Sequence, residues 1–240
     1  MKKVLLFFVL IISSCIGETE IEDDATISDI DGNVYDVLKI ADEYWTTQNL
    51  KVKTYRDGTP IPYVEDENEW NSLTTGAWRY VNNDPNTEEK FGLLYNYYAV
   101  IDPKGLAPVT SRIPSYNDFL HLTAYYGSPI VSNNVSDDIF LSFLTDDPEA
   151  PWSYNQNTIV GTNLTGFNLY PAGLKRESSS NLFGRAALLW SNELINNVTD
   201  YGPFALRFSF GTQNVIGTLG TKNIYGLSVR VIVERYPLVN

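Results

Sequence analysis

The chain has a single cysteine, Cys15, so no internal disulfide can form and whatever folds behind it must be held by its core without a crosslink. That residue stands directly after the one strongly apolar run in the sequence. Met1, Lys2 and Lys3 supply a basic start, and Val4 to Ile12 (VLLFFVLII) follow without a polar side chain. Nine residues at 1.5 Å each span about 14 Å, roughly half of a ~30 Å hydrocarbon core, which is too short to cross a bilayer. The basic start and short core are those of a signal peptide, and residues 1–14 are expected to be removed.

Ile12-Ser13-Ser14-Cys15 resembles the lipobox read by lipoprotein signal peptidase. The competing reading is an ordinary secretory signal cut at small residues, with Cys15 a bystander. It leaves an exported thiol with no partner, so lipid attachment at Cys15 is the expectation. Two or more acyl chains then give the stable anchoring that one chain cannot. Residues 15–25 read as an acidic tether, with Glu18, Glu20, Glu22, Asp23 and Asp24 and too few apolar groups to fold alone. This patch also resembles the surface-export signal of Bacteroidota lipoproteins, and both readings fit. Ile16, where inner-membrane retention in enteric bacteria uses aspartate, points to the outer membrane, with the cell surface as the expected address.

Loss of Lys2 and Lys3 leaves 15 basic against 29 acidic residues, a formal charge of −14. Phosphate binding needs a basic face, so nucleic acid is not an expected partner.

Residues 26–240 read as one domain, since no Pro- or Ser-rich linker, internal repeat or long low-complexity segment marks a boundary. Ser178-Ser179-Ser180 reads as a loop. Sixteen Gly and twelve Pro break the chain into short pieces, which favours strands over long helices. Val34 to Ile40 after the Asp31-Gly32-Asn33 turn, and Gly226 to Val233 near the end, alternate as half-buried strands do. Ser115 is a candidate N-cap with Asp118 three residues on; Phe119, Leu120 and Leu122 recur at helical spacing, and Gly127 supplies a stop. Ser136 to Leu144 is a second helical stretch, with Asp137 and Asp138 where the helix dipole favours carboxylates. The expected class is α+β.

Asp29-Ile30-Asp31-Gly32-Asn33-Val34-Tyr35, Lys39-Ile40 and Tyr44 to Lys51 (YWTTQNLK) resemble the opening of the Fibrobacter succinogenes major paralogous domain family. Tyr55 to Pro62 (YRDGTPIP), Trp70 to Ala77 (WNSLTTGA), Asn82-Asn83-Asp84 and Phe91 to Val100 (FGLLYNYYAV) follow. Thr165-Gly166-Phe167, Trp190-Ser191 and Gly226 to Arg230 (GLSVR) complete the series, which covers nearly all of residues 29–233. The resemblance implies a relative of the C-type-lectin-like and formylglycine-generating-enzyme folds: short twisted antiparallel strands, two or so helices and much irregular backbone. It also implies exported or lipid-anchored proteins of Bacteroidota and Fibrobacterota. Where the family carries a cysteine before Pro-x-Gly-Trp-His, and another in Val-Arg-Cys, this chain has Ala107-Pro108 and Val229-Arg230-Val231. If those cysteines form a pair, their joint loss removes the ~2–4 kcal/mol a crosslink contributes and leaves no orphan thiol.

Composition narrows the chemistry. Formylglycine-type catalysis needs a cysteine other than a lipid anchor, and with His121 as the only histidine no Cys/His zinc site can be built. His121 falls inside the predicted Ser115 helix, where a surface or core role outweighs catalysis. No P-loop or G-x-G-x-x-G occurs. Asp29, Asp31 and Asn33 fail the EF-hand pattern, with Val34 and Ile40 at its glycine and glutamate positions, and read as a β-turn. Trp190 to Glu193 (WSNE) has the wrong spacing for the calcium motif of C-type lectins, so no metal ligands, cofactor or catalytic residues are assigned.

Five Trp, sixteen Tyr and eleven Phe leave sugar or protein binding as the better-supported class. Trp45, Trp70 and Trp190 lie in framework segments and are expected in the core. Trp152 and Tyr154 lie in a Pro-, Asn- and Gly-rich stretch, Asp146 to Thr165, and are the candidate ligand-binding residues. The expectation is a lipid-anchored binding or adhesion module for extracellular glycans or proteins, not an enzyme. The alternatives are a carboxylate-dependent glycan hydrolase and a structural envelope lipoprotein. An exposed aromatic shelf favours binding, and paired carboxylates in a cleft favour hydrolysis.

Overall fold

The computed structural model describes residues 25–127, 136–175, 182–196, 201–210, 214–219 and 225–234. The expected signal peptide, Cys15, nearly all of the tether and the Ser178-Ser179-Ser180 run lie outside the described residues. Along the chain run β1 (Ala25–Ser28), β2 (Val34–Ile40), β3 (Glu43–Thr46), α1 (Glu67–Ser72), β4 (Trp78–Tyr80), α2 (Glu88–Phe91), β5 (Leu93–Asn96), α3 (Tyr97–Val100) and β6 (Ser111–Arg112). Then come α4 (Tyr116–Tyr125), α5 (Asp137–Phe143), β7 (Trp152–Tyr154), β8 (Asn157–Ile159), β9 (Ala186–Asn196), β10 (Tyr201–Ser209), β11 (Asn214–Leu219), β12 (Gly226–Leu227) and β13 (Ile232–Val233). The class is mixed α+β, with short helices set among several small antiparallel sheets.

One sheet has the order β1-β2-β3-β13-β6, a second β12-β5-β4, a third β11-β10-β9, and β7-β8 is a hairpin. β2 begins where the Asp31-Gly32-Asn33 turn predicts. Asp29 Oδ1 accepts the backbone N–H groups of Asp31 and Asn33, both at 3.0 Å, while Oδ2 accepts Asn33 Nδ2 at 2.8 Å and the Tyr35 hydroxyl at 2.6 Å. Both carboxylate oxygens are thereby committed to the turn. α4 is capped as its sequence predicts: Ser115 Oγ accepts the Asp118 N–H and the Asp118 carboxylate accepts the Ser115 N–H. Gly127, at φ +77°, ends the turn beyond it, its N–H donated to the Ala124 carbonyl. α5 occupies the second predicted helix, although Ser136 makes no side-chain cap bond.

The closing segment is not the single half-buried strand its alternation predicts. β12 pairs with β5, β13 pairs with β3 and β6, and every residue from Gly226 to Val233 is buried. Leu227, Val229, Val231 and Val233 enter one core with Tyr35, Leu50, Tyr95 and Trp190. Ile232, on the opposite side, enters a second core with Trp45, Phe119, Phe143 and Phe167. Ser228 and Arg230 supply the polar half of the alternation, yet both are buried. β9 behaves likewise, with Ala186, Leu188 and Trp190 in the first core and Ala187 and Leu189 in the second, and its Ala-Ala-Leu-Leu-Trp start is the apolar run of a strand covered on both faces. Ala107 and Val231, at the two cysteine-free positions, both lie in the first core.

Trp45 and Trp190 are core residues, as expected. Trp45 packs on Phe119 and Phe167 at 5.7 and 5.5 Å, and Trp190 packs on Tyr97 at 5.3 Å while its Nε1–H donates to the Tyr95 carbonyl.

Candidate functional site

An exposed aromatic shelf is built on β4. Successive residues of a strand point to opposite faces, so Trp78 and Tyr80 share one side and Arg79 takes the other. Tyr63 joins the same side because its segment runs parallel to β4: the Trp78 N–H donates to the Pro62 carbonyl at 3.0 Å and the Val64 N–H to the Trp78 carbonyl at 3.1 Å. The three rings form a triangle, with Tyr63–Trp78 at 4.8 Å, Tyr63–Tyr80 at 5.4 Å and Trp78–Tyr80 at 5.2 Å between centroids. Trp78 is only 6% exposed and its Nε1–H is fixed to the Ile61 carbonyl, so it is a base on which Tyr63, 44% exposed, is presented to solvent.

Polar groups surround the shelf. The Tyr63 hydroxyl lies 2.9 Å from Glu65 Oε2. The Lys53 ammonium sits 5.1 Å from the Trp78 centroid and 5.6 Å from that of Tyr80, and pairs with Glu88 at 2.7 Å. Burial works against the Lys53 charge, but the hydrogen bond and ion pair with Glu88 outweigh it and leave the pKa above the usual lysine value.

The segment before Tyr63 lines an open groove of about 480 Å³ whose walls include Tyr55, Pro60, Thr75, Tyr98, Ile101 and Asp102. Tyr55 is buried at one side, and its hydroxyl makes no hydrogen bond among the described residues. The phenol approaches so closely that a β-carbon on Gly76 would overlap its oxygen, which is why the Thr74-Thr75-Gly76 segment needs glycine there. Burial and then the nearby Asp102 carboxylate push the Tyr55 pKa well up, so the group remains a neutral donor. Lys104 lies 5.3 Å over the Tyr55 ring and 3.5 Å from Asp102 Oδ2. The groove thus combines apolar walls with a few hydroxyls and one carboxylate.

The structure corrects the reading of Trp152. It is fully buried in the second core, 6.1 Å from Phe140, and presents no face to a ligand. The Asn-rich composition that suggested a loop instead marks a two-residue hairpin turn, with Asn155 and Gln156 both at positive φ and β7 paired to β8. Tyr154 is half-buried beneath the Arg185 guanidinium, 4.0 Å from its ring centroid. Trp190 to Glu193 is framework that docks α4, since Glu193 Oε2 accepts the Tyr116 N–H at 3.0 Å. His121 is exposed on α4. Among the described residues no group of three His, Cys, Asp or Glu is placed to hold a metal ion.

Tyr63, Trp78, Tyr80 and Tyr55 were not marked by the sequence as a site. The Trp78-Arg79-Tyr80 alternation is a local signal that two rings share a face, but the third ring comes from a parallel pairing across fifteen residues. The chain matches no curated protein and no solved structure. The family model of the Fibrobacter succinogenes major domain matches residues 38–232, a span that contains the shelf, the groove and the second core, and the chain belongs to that family.

Proposed function

We propose that this protein is a lipid-anchored binding module of the outer-membrane surface, with a lectin-like domain whose aromatic shelf takes an extracellular glycan. The observation that carries the reading is Tyr63, held 44% exposed on the fixed Trp78 and Tyr80 rings. A sugar ring loses water against such a face while its hydroxyls keep polar partners, here Glu65, Lys53 and Glu88 around the rings. With Cys15 as the lipid site, the ten residues to Ala25 reach at most about 35 Å, so the domain stays close to the bilayer. An extracellular protein segment rich in hydroxyl and apolar groups would use the same face.

A two-carboxylate hydrolase is less well supported. That mechanism needs a pair of carboxyl groups roughly 5 to 10 Å apart, and the groove wall contributes Asp102 alone. A glycan array with purified residues 26–240 tests the binding reading. Tyr63→Ala should remove the signal without shifting the thermal midpoint by more than a degree or two. An array blank for the wild-type protein would favour the structural envelope role.

A further inference from the structure

At the shelf and again at the groove, this chain seats one of its own ammonium groups between an aromatic face and a carboxylate. Lys53 lies 5.1 Å from the Trp78 centroid and 5.6 Å from that of Tyr80, with the two Glu88 oxygens at 2.7 and 2.9 Å from its nitrogen. Lys104 lies 5.3 Å from the Tyr55 centroid and 3.5 Å from Asp102 Oδ2. In each case the ring quadrupole and the carboxylate attract the same ammonium.

The exposed ring of the shelf repeats the pairing without an ammonium of its own. Tyr63 and Glu65 flank Val64, which is turned inward and 3% exposed, so ring and carboxylate share the solvent side of this segment. The Tyr63 hydroxyl donates to Glu65 Oε2 at 2.9 Å and holds the carboxylate at the rim of the ring. Among the described residues no lysine, arginine or histidine forms an ion pair with Glu65. Lys53 is committed to Glu88. Arg79 feels the Glu65 charge, but its guanidinium belongs to the opposite face of β4, is 2% exposed, and makes its ion pair with Glu67 at 3.7 Å. The excess of acidic residues, 29 against 17 basic in the whole chain, adds a long-range attraction for cations and a repulsion for acidic ligands.

We propose that the shelf selects an amine-bearing sugar, a 2-amino-2-deoxyhexose whose ammonium is held between the Tyr63 ring and the Glu65 carboxylate, and that Glu65 sets the preference over neutral and acidic sugars. The inference rests on the glycan reading of the shelf and adds the class of sugar. The sugar ring loses water against the aromatic face, while its ammonium donates to Glu65 Oε1, the oxygen that Tyr63 does not use. A uronate or sulfate ester in the same pose would bring like charge against Glu65. An N-acetylated sugar would bring no charge to it at all.

Titration calorimetry on the full-length chain in detergent tests it with β-1,4-linked trimers of glucosamine, glucose and N-acetylglucosamine, and with trilysine as an ammonium carrier that has no sugar. At low ionic strength and about pH 6, where the amine is protonated, the glucosamine trimer should bind roughly five- to tenfold more tightly than the glucose trimer. Glu65→Gln, whose amide oxygen still accepts from Tyr63, should erase that preference and leave the glucose trimer unchanged. Glu65→Asp keeps the charge and should retain part of it. Asp138→Asn, which removes one exposed charge at the start of α5, should leave the preference intact; an equal loss there would mean diffuse attraction and overturn the inference. If the glucose and glucosamine trimers bind alike and Glu65→Gln changes neither, the amine assignment is overturned and the glycan reading stands. If trilysine binds as tightly as the glucosamine trimer, is weakened equally by Glu65→Gln, and the glucose trimer does not bind, the ammonium site stands and the sugar is overturned. If no probe binds the wild type, the amine assignment is overturned, and the glycan array decides the broader reading.

Discussion

The guanidinium of Arg230 lies 4.6 Å from the centroid of the Phe167 ring, deep between the closing segment and the second core, with no carboxylate partner among the described residues. Four of its five N–H groups are met by oxygens instead: Asn49 Oδ1 at 3.0 Å, and the carbonyls of Thr46, Phe167 and Asn168. Burial pulls its pKa down to about 9, which still leaves it charged at neutral pH. One side chain thus ties three distant stretches of chain, near residues 46–49, 167–168 and 230. Arg230→Met should strip four acceptors at once and cost about 3–5 kcal/mol, read as a lowered denaturant midpoint. Arg230→Lys, with three donors and no planar fork, should recover only part of this.

Acid lability should centre on Asp118. Its carboxylate accepts Arg112 and the Ser115 N–H and hydroxyl, and Arg112 also reaches Glu234 at 3.2 Å. Burial pushes the Asp118 pKa up, but the bonds from Arg112 and Ser115 outweigh it, and the net shift is downward. A carboxylate depressed in the folded state stabilises above its unfolded pKa, near 4, and that stability is lost as pH falls through the folded value. Melting midpoints from pH 2 to 7 should therefore fall below pH 4 in the wild type. Asp118→Asn should flatten that fall and lower the midpoint at pH 7 by the equivalent of about 1–2 kcal/mol, as cap and ion pair are lost together.

Trp152→Ala should melt the protein as Trp45→Ala does. Both indoles are buried in the same core, and large-to-small changes at such positions cost about 3–5 kcal/mol. Equal losses of thermal midpoint would check this; an unchanged midpoint for Trp152→Ala would return the residue to the surface.

Gly76→Ala should be destabilising by about 1–3 kcal/mol, because the new methyl group meets both the Tyr55 oxygen and the Ala99 backbone, the latter at 2.9 Å. Adding Tyr55→Phe removes the first obstacle and not the second. The double variant should recover part of the loss in a double-mutant cycle, with a coupling of opposite sign to the single changes.

Cys15→Ser should abolish lipid attachment and leave unprocessed precursor. Metabolic labelling with a fatty acid reads this directly, and wild-type incorporation by the variant would remove the anchor from the account.

Elements whose stabilising contacts are local were legible. Ser115 and Asp118 are three residues apart, so the α4 capping box can be read from the chain, as can the turn in which Asp29 accepts from Asp31 and Asn33. Trp45 and Trp190 were placed in the core by family framework, and the structure buries both. The ligand assignment failed at Trp152 because composition cannot distinguish a hairpin turn from an irregular loop: Asn155 and Gln156 look alike in either, and only the strand pairing turns Trp152 inward.

The sequence by itself determined where the Asp31-Gly32-Asn33 turn lies, where α4 and α5 start, that no internal disulfide joins the fold, and which family it belongs to. Those properties depend on residue identity and spacing over a few positions, or on the order of motifs. The tertiary structure alone decided that Ser228 and Arg230 are buried, since their alternation with Leu227, Val229 and Val231 reads as half-exposed until a second core covers the other face. It alone assembled Tyr63 with Trp78 and Tyr80, and Glu67 with Arg79 and Lys175. Lys175 and Glu67 are 108 residues apart in the chain, and a contact at that separation exists only because packing brings the two segments together.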